Sequence, residues 1–289
     1  MSHDLLQALA IFAAGLAAGT INTVVGSGTL ITFPTLLAFG YAPVLANVSN
    51  NIGLVPGVAS GVFGYRAELT GQRRRIVRLG TASLGGGLVG AILLLTLPQG
   101  AFKAIVPVLI GVAVVMVVIQ PRLAARVAAR QQARVAVSHA TSPGARSGAP
   151  GGTGATAVAV PVSAPAPAPA AEAIGGPVIW VLVFLAGIYG GYFGAAQGVL
   201  LIGMLGIALG DTLQRINAVK NVLAGLVNGL AAVVFIIATH VDWGAAGLIA
   251  VGSIIGGQLG ARIGRRLPPW GLRVLIVCVG SAALVKLLA

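Results

Sequence analysis

The sequence predicts an all-α integral membrane protein made of two inverted repeats, each an opening helical hairpin that is broken or re-entrant, followed by three transmembrane helices. Only 8% of the 289 residues are charged, and the mean hydropathy is +0.99. A soluble domain carries about 25% charged residues, so most of this surface must face lipid. The apolar stretches are long and lack the alternation of a barrel strand, so the membrane spans are helices.

Ten apolar segments follow one another, and each is expected to form a helix or half-helix. The first half holds 5–18, 28–39, 44–65, 76–97 and 101–119, and the second holds 177–194, 198–209, 213–239, 244–263 and 270–288. Segments 5–18, 28–39 and 198–209 are short for a span of about 20 residues. Short, glycine-interrupted segments in matching positions of two halves are typical of a transporter's binding site.

Between the halves lies a stretch rich in alanine, proline and glycine, 120–176, which cannot form a packed core. We expect a flexible cytoplasmic linker there, with membrane repeats at 1–119 and 177–289. The start of this stretch carries arginines at four-residue intervals, which predict a helical stripe against anionic lipid headgroups. These arginines are Arg122, Arg126, Arg130 and Arg134.

The net charge of +13 is concentrated in a few segments and predicts the orientation of the chain in the membrane, not a nucleic-acid partner. Basic residues follow segment 44–65, fill the start of the linker and, as Arg262, Arg265 and Arg266, follow segment 244–263. These three connections are expected in the cytoplasm, which makes the two halves run in opposite directions. We expect a multi-pass protein of a bacterial-type inner membrane. Its oligomeric state stays open, with a homodimer as one alternative.

An internal repeat is visible when the sequence is shifted by 170 residues. The shift pairs Asn47 with Asn217 and Asn51 with Asn221, without a gap. The same offset joins pairs of small residues, namely Ser83 and Ser253, Gly86 and Gly256, and Gly90 and Gly260. Paired asparagines at one constant offset indicate a duplication.

Glycine-rich breaks interrupt the opening hairpin of each half, in GTINTVVGSGT (19–29) and GIYGGYFGAAQG (187–198). Half-helices at such a break point their positive N-terminal ends at the gap, which suits an anion. Close packing of helices through small residues is the alternative explanation. The polar side chains favour a lined cavity, whose candidate binding residues are Asn22, Gly26, Ser27, Gly28, Gln197 and Gly198.

A second polar motif occurs once in each half, as NVSNN (47–51) and NAVKN (217–221). Its outer asparagines are four residues apart and so share one helix face. An amide offers two N–H donors to an oxyanion without burying a charge, so we expect substrate contacts. Hydrogen bonds that only hold helices together are the alternative, worth about 0.6 kcal/mol each. The candidate residues are Asn47, Asn50, Asn51, Asn217, Lys220 and Asn221.

Charged residues beside these motifs leave several roles open. Lys220 stands where the first half has Asn50, and it either supplies a fixed positive charge for the anion or anchors a helix start. Arg215 could share the first role. Asp211 is the acid beside the motif that could couple transport to protons. Coupling is therefore absent, carried by Asp211, or carried by backbone groups.

These motifs resemble those of the sulfite exporter TauE/SafE family, also called the 4-toluene sulfonate uptake permease family. The first half resembles it in GSGTLITFPTLL (26–37) and GYAPVLANVSN (40–50), and the second in GGYFGAAQGVLLIGML (190–205) and INAVKN (216–221). The resemblance covers both halves and leaves out the linker. It implies export or uptake of small sulfur oxyanions and organosulfonates.

We therefore expect a transporter of sulfite-like or sulfonate anions, in which alternating access moves one repeat against the other around a midplane site. A carrier of another small anionic or zwitterionic solute, such as an amino acid, is the alternative. No metal or cofactor is expected, since carboxylates are nearly absent and the one cysteine, Cys278, forms no thiolate cluster. An enzyme is not expected, because the sequence has no HExxH motif, paired intramembrane acids or Cys/His cluster.

Overall fold

The computed structural model describes residues 3–140, 176–209, 211–263 and 270–288. Within them the chain forms ten α-helices, one short 3-10 helix and no strand, which confirms the all-α fold. The first half comprises α1 (His3–Val24), α2 (Thr29–Ala38), α3 (Pro43–Gly64), the 3-10 helix Arg66–Leu69, α4 (Arg73–Thr96) and α5 (Gln99–Ala140). The second comprises α6 (Gly176–Tyr192), α7 (Gln197–Leu209), α8 (Leu213–Ala238), α9 (Trp243–Ile263) and α10 (Trp270–Leu288).

Several of these helices can cross a membrane, so this is a multi-pass membrane protein. In the described part of the chain, five helices have the length and mean hydropathy of a span, namely α1, α4, α5, α8 and α9. Helix α3 has the length, 22 residues, but its NVSNN stretch lowers its hydropathy. Helices α2 and α7, with 10 and 13 residues, are too short to span. Each of them follows a break, so each half opens with a broken hairpin, as predicted.

Two helices are longer than the sequence predicts. Helix α1 continues to Val24, beyond the apolar segment 5–18, and in this extension the hydroxyls of Thr20 and Thr23 bond to carbonyls four residues earlier, at 3.0 and 2.9 Å. Helix α5 continues to Ala140, past residue 120 where the linker is expected to begin. Residues 121–140 are rich in alanine and arginine, which favour helix. The remainder of the expected linker, 141–175, and Arg265 and Arg266 lie outside the described residues.

The helices pack in two groups of three, and each group contains helices from both halves. Helices α1 and α3 of the first half pack against α9 of the second, and α6 and α8 of the second pack against α4 of the first. Contact between α3 and α8 joins the groups, while α5 packs on α7 and α2 packs on α10. Each contact has an equivalent when every helix is replaced by its counterpart in the other half. The contact of α1 with α9, for example, corresponds to that of α6 with α4. The helices of the two halves are therefore interlocked.

Small residues let the helix backbones touch within each group. A Cβ atom at Gly86 of α4 would collide with the carbonyl oxygen of Phe184 on α6. A Cβ atom at Gly256 of α9 would collide in the same way with the carbonyl oxygen of Leu16 on α1. The paired glycines of the sequence repeat therefore serve close helix packing.

The paired serines of the repeat make equivalent contacts between helices. Ser83 of α4 donates its hydroxyl to the Leu223 carbonyl of α8 at 3.3 Å. Ser253 of α9 donates to the Gly53 carbonyl of α3 at 2.9 Å. Both the donors and the acceptors are 170 residues apart, so the offset seen in the sequence is also the offset of these contacts.

The two opening hairpins enter the helix bundle from opposite ends. Helix α6 begins beside Arg78, and the connection after α7 holds Asp211, which forms an ion pair with Arg75 at 2.8 Å. Hairpin α6–α7 therefore starts and finishes at the end where α4 begins. Near the start of α1, Gln7 donates to the hydroxyl of Tyr41, in the connection after α2, at 3.5 Å. Because α3 separates that connection from α4, hairpin α1–α2 belongs to the other end.

Candidate functional site

Each opening hairpin breaks in the same way, at a glycine in the left-handed region. At the end of α1, Gly26 has φ +92° and donates its N–H to the Ile21 carbonyl at 3.0 Å. At the end of α6, Gly194 has φ +79° and donates its N–H to the Tyr189 carbonyl at 3.1 Å. This helix-ending turn favours glycine because a Cβ atom is strained at positive φ.

The register of the repeat changes at the breaks. Gly26 and Gly194 are 168 residues apart, as are the starts of α2 and α7, whereas the starts of α3 and α8 are 170 apart. The structure thus places Gly28 just before α2 but Gly198 inside α7, although the sequence shift pairs them. The difference arises because α7 has 13 residues and α2 has 10, partly offset by a shorter connection after α7.

The two breaks meet at Gly26 and Gly198, a contact that we call the crossing. Gly198 donates its backbone N–H to the Gly26 carbonyl at 3.2 Å. A Cβ atom on Gly26 would lie 2.5 Å from the Cα atom of Gly198, so glycine is required for this approach. The crossing joins hairpins that enter the bundle from opposite ends.

Two buried polar residues are the chain neighbours of the glycines that form the crossing. Ser27 precedes α2 by two residues and is 0% exposed, and Gln197 begins α7 and is 2% exposed. Among the described residues, Ser27 Oγ and Gln197 Nε2 have no hydrogen-bond partner. Both atoms can donate, and both lie at the positive N-terminal end of a helix. The residues beside the crossing therefore carry unused donors that suit an anion.

The first asparagine of each polar motif binds the broken helix of the other half. Asn47 Nδ2 donates to the Tyr192 carbonyl at the end of α6, at 3.0 Å. Asn217 Nδ2 donates to the Thr23 carbonyl near the end of α1, also at 3.0 Å. Carbonyls in the last turn of a helix have no partner within the helix, so these amides satisfy them. The asparagines thereby hold the ends of both breaks.

The inner residues of the motifs differ between the halves. Asn50 accepts a hydrogen bond from Thr32 and donates to the Thr29 hydroxyl of α2 at 3.3 Å. Asn51 is buried, and its Oδ1 has no partner within the described part of the chain. Asn221 Nδ2 donates to the Thr23 carbonyl at 3.4 Å, alongside Asn217.

Lys220 lies fully inside the protein, at 1% exposure. Its Nζ donates to the backbone carbonyls of Asn22 at 2.9 Å and of Thr23 at 3.3 Å. The C-terminal end of a helix carries a partial negative charge, which favours a cation there. Over residues 3–140, 176–209, 211–263 and 270–288, no carboxylate forms an ion pair with Lys220. Lys220 Nζ thus binds carbonyls that lie four and three residues before Gly26 in the sequence.

The other predicted charged residues belong to a cluster where α4 begins. Asp211 lies 2.8 Å from the Arg75 guanidinium and 3.0 Å from that of Arg215. Burial acts to raise the pKa of Asp211, but hydrogen bonds from Arg75, the Thr212 N–H and Arg215 outweigh it and hold that pKa below its ordinary value. The cluster ties the first half to the second at one end of the bundle, away from the Lys220 carbonyl contacts.

Replacing Asp211 by asparagine is expected to lower the thermal stability by roughly 2 °C at pH 7, since the cluster is partly exposed. The depressed pKa means that the stabilisation is present above the unfolded pKa of about 4 and is lost as pH falls through the folded pKa. Melting curves of both proteins between pH 7 and pH 3 should therefore converge at low pH. Asp4→Asn, at an exposed site, is the control. A constant difference at all pH values would contradict this role.

Sequence reasoning missed the residues that act through their backbone carbonyls. Thr23 and Tyr192 accept the asparagine and lysine hydrogen bonds, and a carbonyl leaves no mark in a sequence. Gly194 was also missed as the counterpart of Gly26, although GYFG within the second break signals such a turn. Predicted residues that the structure brings to the crossing are Gly26, Ser27, Gln197 and Gly198.

Comparisons with known proteins agree with the resemblance seen in the motifs. The family model described as sulfite exporter TauE/SafE matches residues 11–287. A Sinorhizobium sp. protein, described as probable membrane transporter protein ORF9, is 28% identical over 100 residues, which are 35% of this chain and 38% of the relative. No solved structure matches the chain. The chain therefore belongs to the sulfite exporter TauE/SafE family.

Proposed function

We propose that this transporter moves small sulfur-containing anions, such as sulfite or an organosulfonate, by alternating access around a site at the crossing. The observation that carries the proposal is the pair of unused donors, Ser27 Oγ and Gln197 Nε2, each buried at the start of a half-helix. A buried polar atom without a partner costs about 1–3 kcal/mol. An oxyanion would accept both hydrogen bonds and would also gain from the two helix ends.

Lys220 supports an anionic substrate. A buried ammonium group without a carboxylate partner lowers the stability of a membrane protein, and such groups usually have a function. The equivalent residue of the first half is the neutral Asn50, so only the second half has a lysine at this position. We infer that the anion supplies the missing countercharge, while Asn47, Asn217 and Asn221 hold the helix ends that shape the site.

The arrangement in the membrane follows the same reasoning. We infer that the two halves are inverted repeats, since their hairpins enter from opposite ends and their contacts recur on exchange of the halves. The basic residues after α3 and α9 favour a cytoplasmic location for that end, in a bacterial-type inner membrane. The stretch between the halves would then be a cytoplasmic linker.

Interlocking of the repeats affects which parts can move. If one repeat moved as a block against the other, the glycine contacts between α1 and α9 and between α4 and α6 would break. We infer that alternating access instead moves the group α1, α3 and α9 against the group α4, α6 and α8. The contact between α3 and α8 and the crossing itself would lie between the moving groups.

A zwitterionic substrate, such as an amino acid or an aminosulfonate, is the second candidate. Two buried acceptors lie in the asparagine motifs, Asn51 Oδ1 and Asn217 Oδ1, and neither has a partner in the described ranges. An ammonium group on the substrate could donate to such acceptors. This observation favours a substrate that carries both charges.

The experiment is uptake of labelled sulfite into proteoliposomes that contain the native protein. Unlabelled thiosulfate, methanesulfonate, 2-aminoethanesulfonate and alanine are added in turn as competitors. The proposal expects saturable sulfite flux that thiosulfate and methanesulfonate reduce and that 2-aminoethanesulfonate and alanine do not. Absent sulfite flux, with flux of labelled alanine, would favour the second candidate.

Removing the charge of Lys220 is expected to reduce sulfite transport at least about tenfold, as a lost charged hydrogen bond is worth roughly 1.5–3 kcal/mol. Two variants distinguish the role of the Lys220 charge from the role of its hydrogen bonds to α1. Lys220→Met removes both the charge and the hydrogen bonds to α1, whereas Lys220→Asn keeps a donor and matches Asn50. Proteoliposome flux should fall in both variants. Native flux in Lys220→Asn, with loss only in Lys220→Met, would mean that Lys220 serves the end of α1 alone.

A further inference from the structure

A third buried amide on α8 belongs to neither polar motif. Asn228 is 8% exposed, and its Oδ1 has no hydrogen-bond partner among the described residues. It lies well inside the span Leu213–Ala238, where water does not replace a missing partner. An asparagine that only joined helices would be paired with a neighbouring helix. The unpaired Oδ1 therefore calls for another explanation.

The position of Asn228 continues the polar face of α8. It follows Asn221 by seven residues, or two helical turns, so it lies on the same face about 10 Å further along. The face thus carries Asn217, Asn221 and Asn228, all buried. Beyond Asn228 the buried positions of α8 are apolar, with Ala231 as the first.

The first half has no counterpart of this residue. The repeat offset of 170 pairs Asn228 with Val58 of α3, which is buried and apolar. A Cβ atom on Gly225 of α8 would lie 3.2 Å from Val58, so this part of α8 faces α3, between the two helix groups. The polar face thus extends beyond the motif on α8 only.

We propose that Asn228 is a second contact for the transported anion, on the path between the crossing and the end of α8 near residue 239. Its amide N–H groups suit an oxyanion, and its oxygen suits the water that accompanies the ion. The path lies along the contact between α3 and α8, where the two groups of helices would separate from each other during transport. This inference rests on the proposed function and adds a residue and a direction to it.

The test uses Asn228→Val, which places the residue of the first half at this position, and measures both melting temperature and sulfite flux in proteoliposomes. Removing a side chain whose buried Oδ1 has no partner should leave the melting temperature unchanged or raised. Sulfite KM should rise at least about fivefold. Asn228→Ser, which keeps a hydroxyl donor, should show a smaller increase in sulfite KM. If the valine variant does not fold, the KM of the serine variant tests the inference.

Gln258→Met is the matched control, because Gln258 of α9 is an amide with partners, donating to the Ser60 carbonyl at 2.9 Å. It should lower the melting temperature and leave KM unchanged. Native KM and kcat in the folded Asn228 variants, with impaired flux in Lys220→Asn, would overturn this inference and keep the proposed function. Absence of sulfite and sulfonate flux in the native protein would overturn both.

Discussion

Replacing Ser27 by alanine and Gln197 by methionine together should lower kcat/KM for sulfite at least about 100-fold, without loss of stability. Each substitution removes a donor that the protein itself does not use. A hydrogen bond to a charged group is worth about 1.5–3 kcal/mol, and 1.4 kcal/mol is a factor of ten, so two of them account for the effect. Sulfite flux in proteoliposomes and melting curves of the same preparations measure both quantities.

Ser83→Ala provides the opposite pattern as a control. Ser83 Oγ is also buried, but it donates to the Leu223 carbonyl at 3.3 Å, away from the crossing. Its loss should lower the melting temperature and leave kcat/KM nearly native. Native transport in the double variant, or a melting temperature that falls as far as in Ser83→Ala, would argue against an anion bound by Ser27 and Gln197.

Gly26→Ala is expected to be among the most destabilising substitutions in the chain, by about 2–6 kcal/mol. The positive φ strains any side chain, by about 1–3 kcal/mol, and the new Cβ atom would press on Gly198 with a similar penalty. We expect a fall of at least about 5 °C in melting temperature, or failure to fold. Thermal melting in detergent measures this change.

Gly40→Ala separates the two contributions. Gly40 has φ +86°, close to that of Gly26, but a Cβ atom there would meet nothing within 4 Å. Its substitution reports the cost of the backbone conformation alone. The difference between the two variants then reports the contact at the crossing. Equal losses of stability would contradict a close contact between the breaks.

The helices and the duplication were predictable because they depend on local patterns. Apolar runs predicted the helical segments to within a few residues, except at the end of α1 and along α5, which continues to Ala140. The offset between Asn47 and Asn217 reappears in their equivalent contacts with opposite helices. Both features leave periodic side-chain signals in the sequence.

The geometry of the site was less accessible, because it depends on backbone groups and on contacts between the halves. The change of register at the breaks depends on the different lengths of α2 and α7, which glycine identity alone does not reveal. The asparagines were expected to face a substrate, yet Asn47 and Asn217 use their N–H donors on carbonyls. Only the fold shows that the hydrogen-bond donors of Ser27 and Gln197 have no partner among the described residues.

The most direct test of the site is to locate a bound anion. Selenite is a heavier analogue of sulfite, and crystals grown with it can be measured at the selenium absorption edge. The account predicts an anomalous peak within hydrogen-bond distance of both Ser27 Oγ and Gln197 Nε2. A strong peak elsewhere in the helix bundle, with none at the crossing, would contradict it.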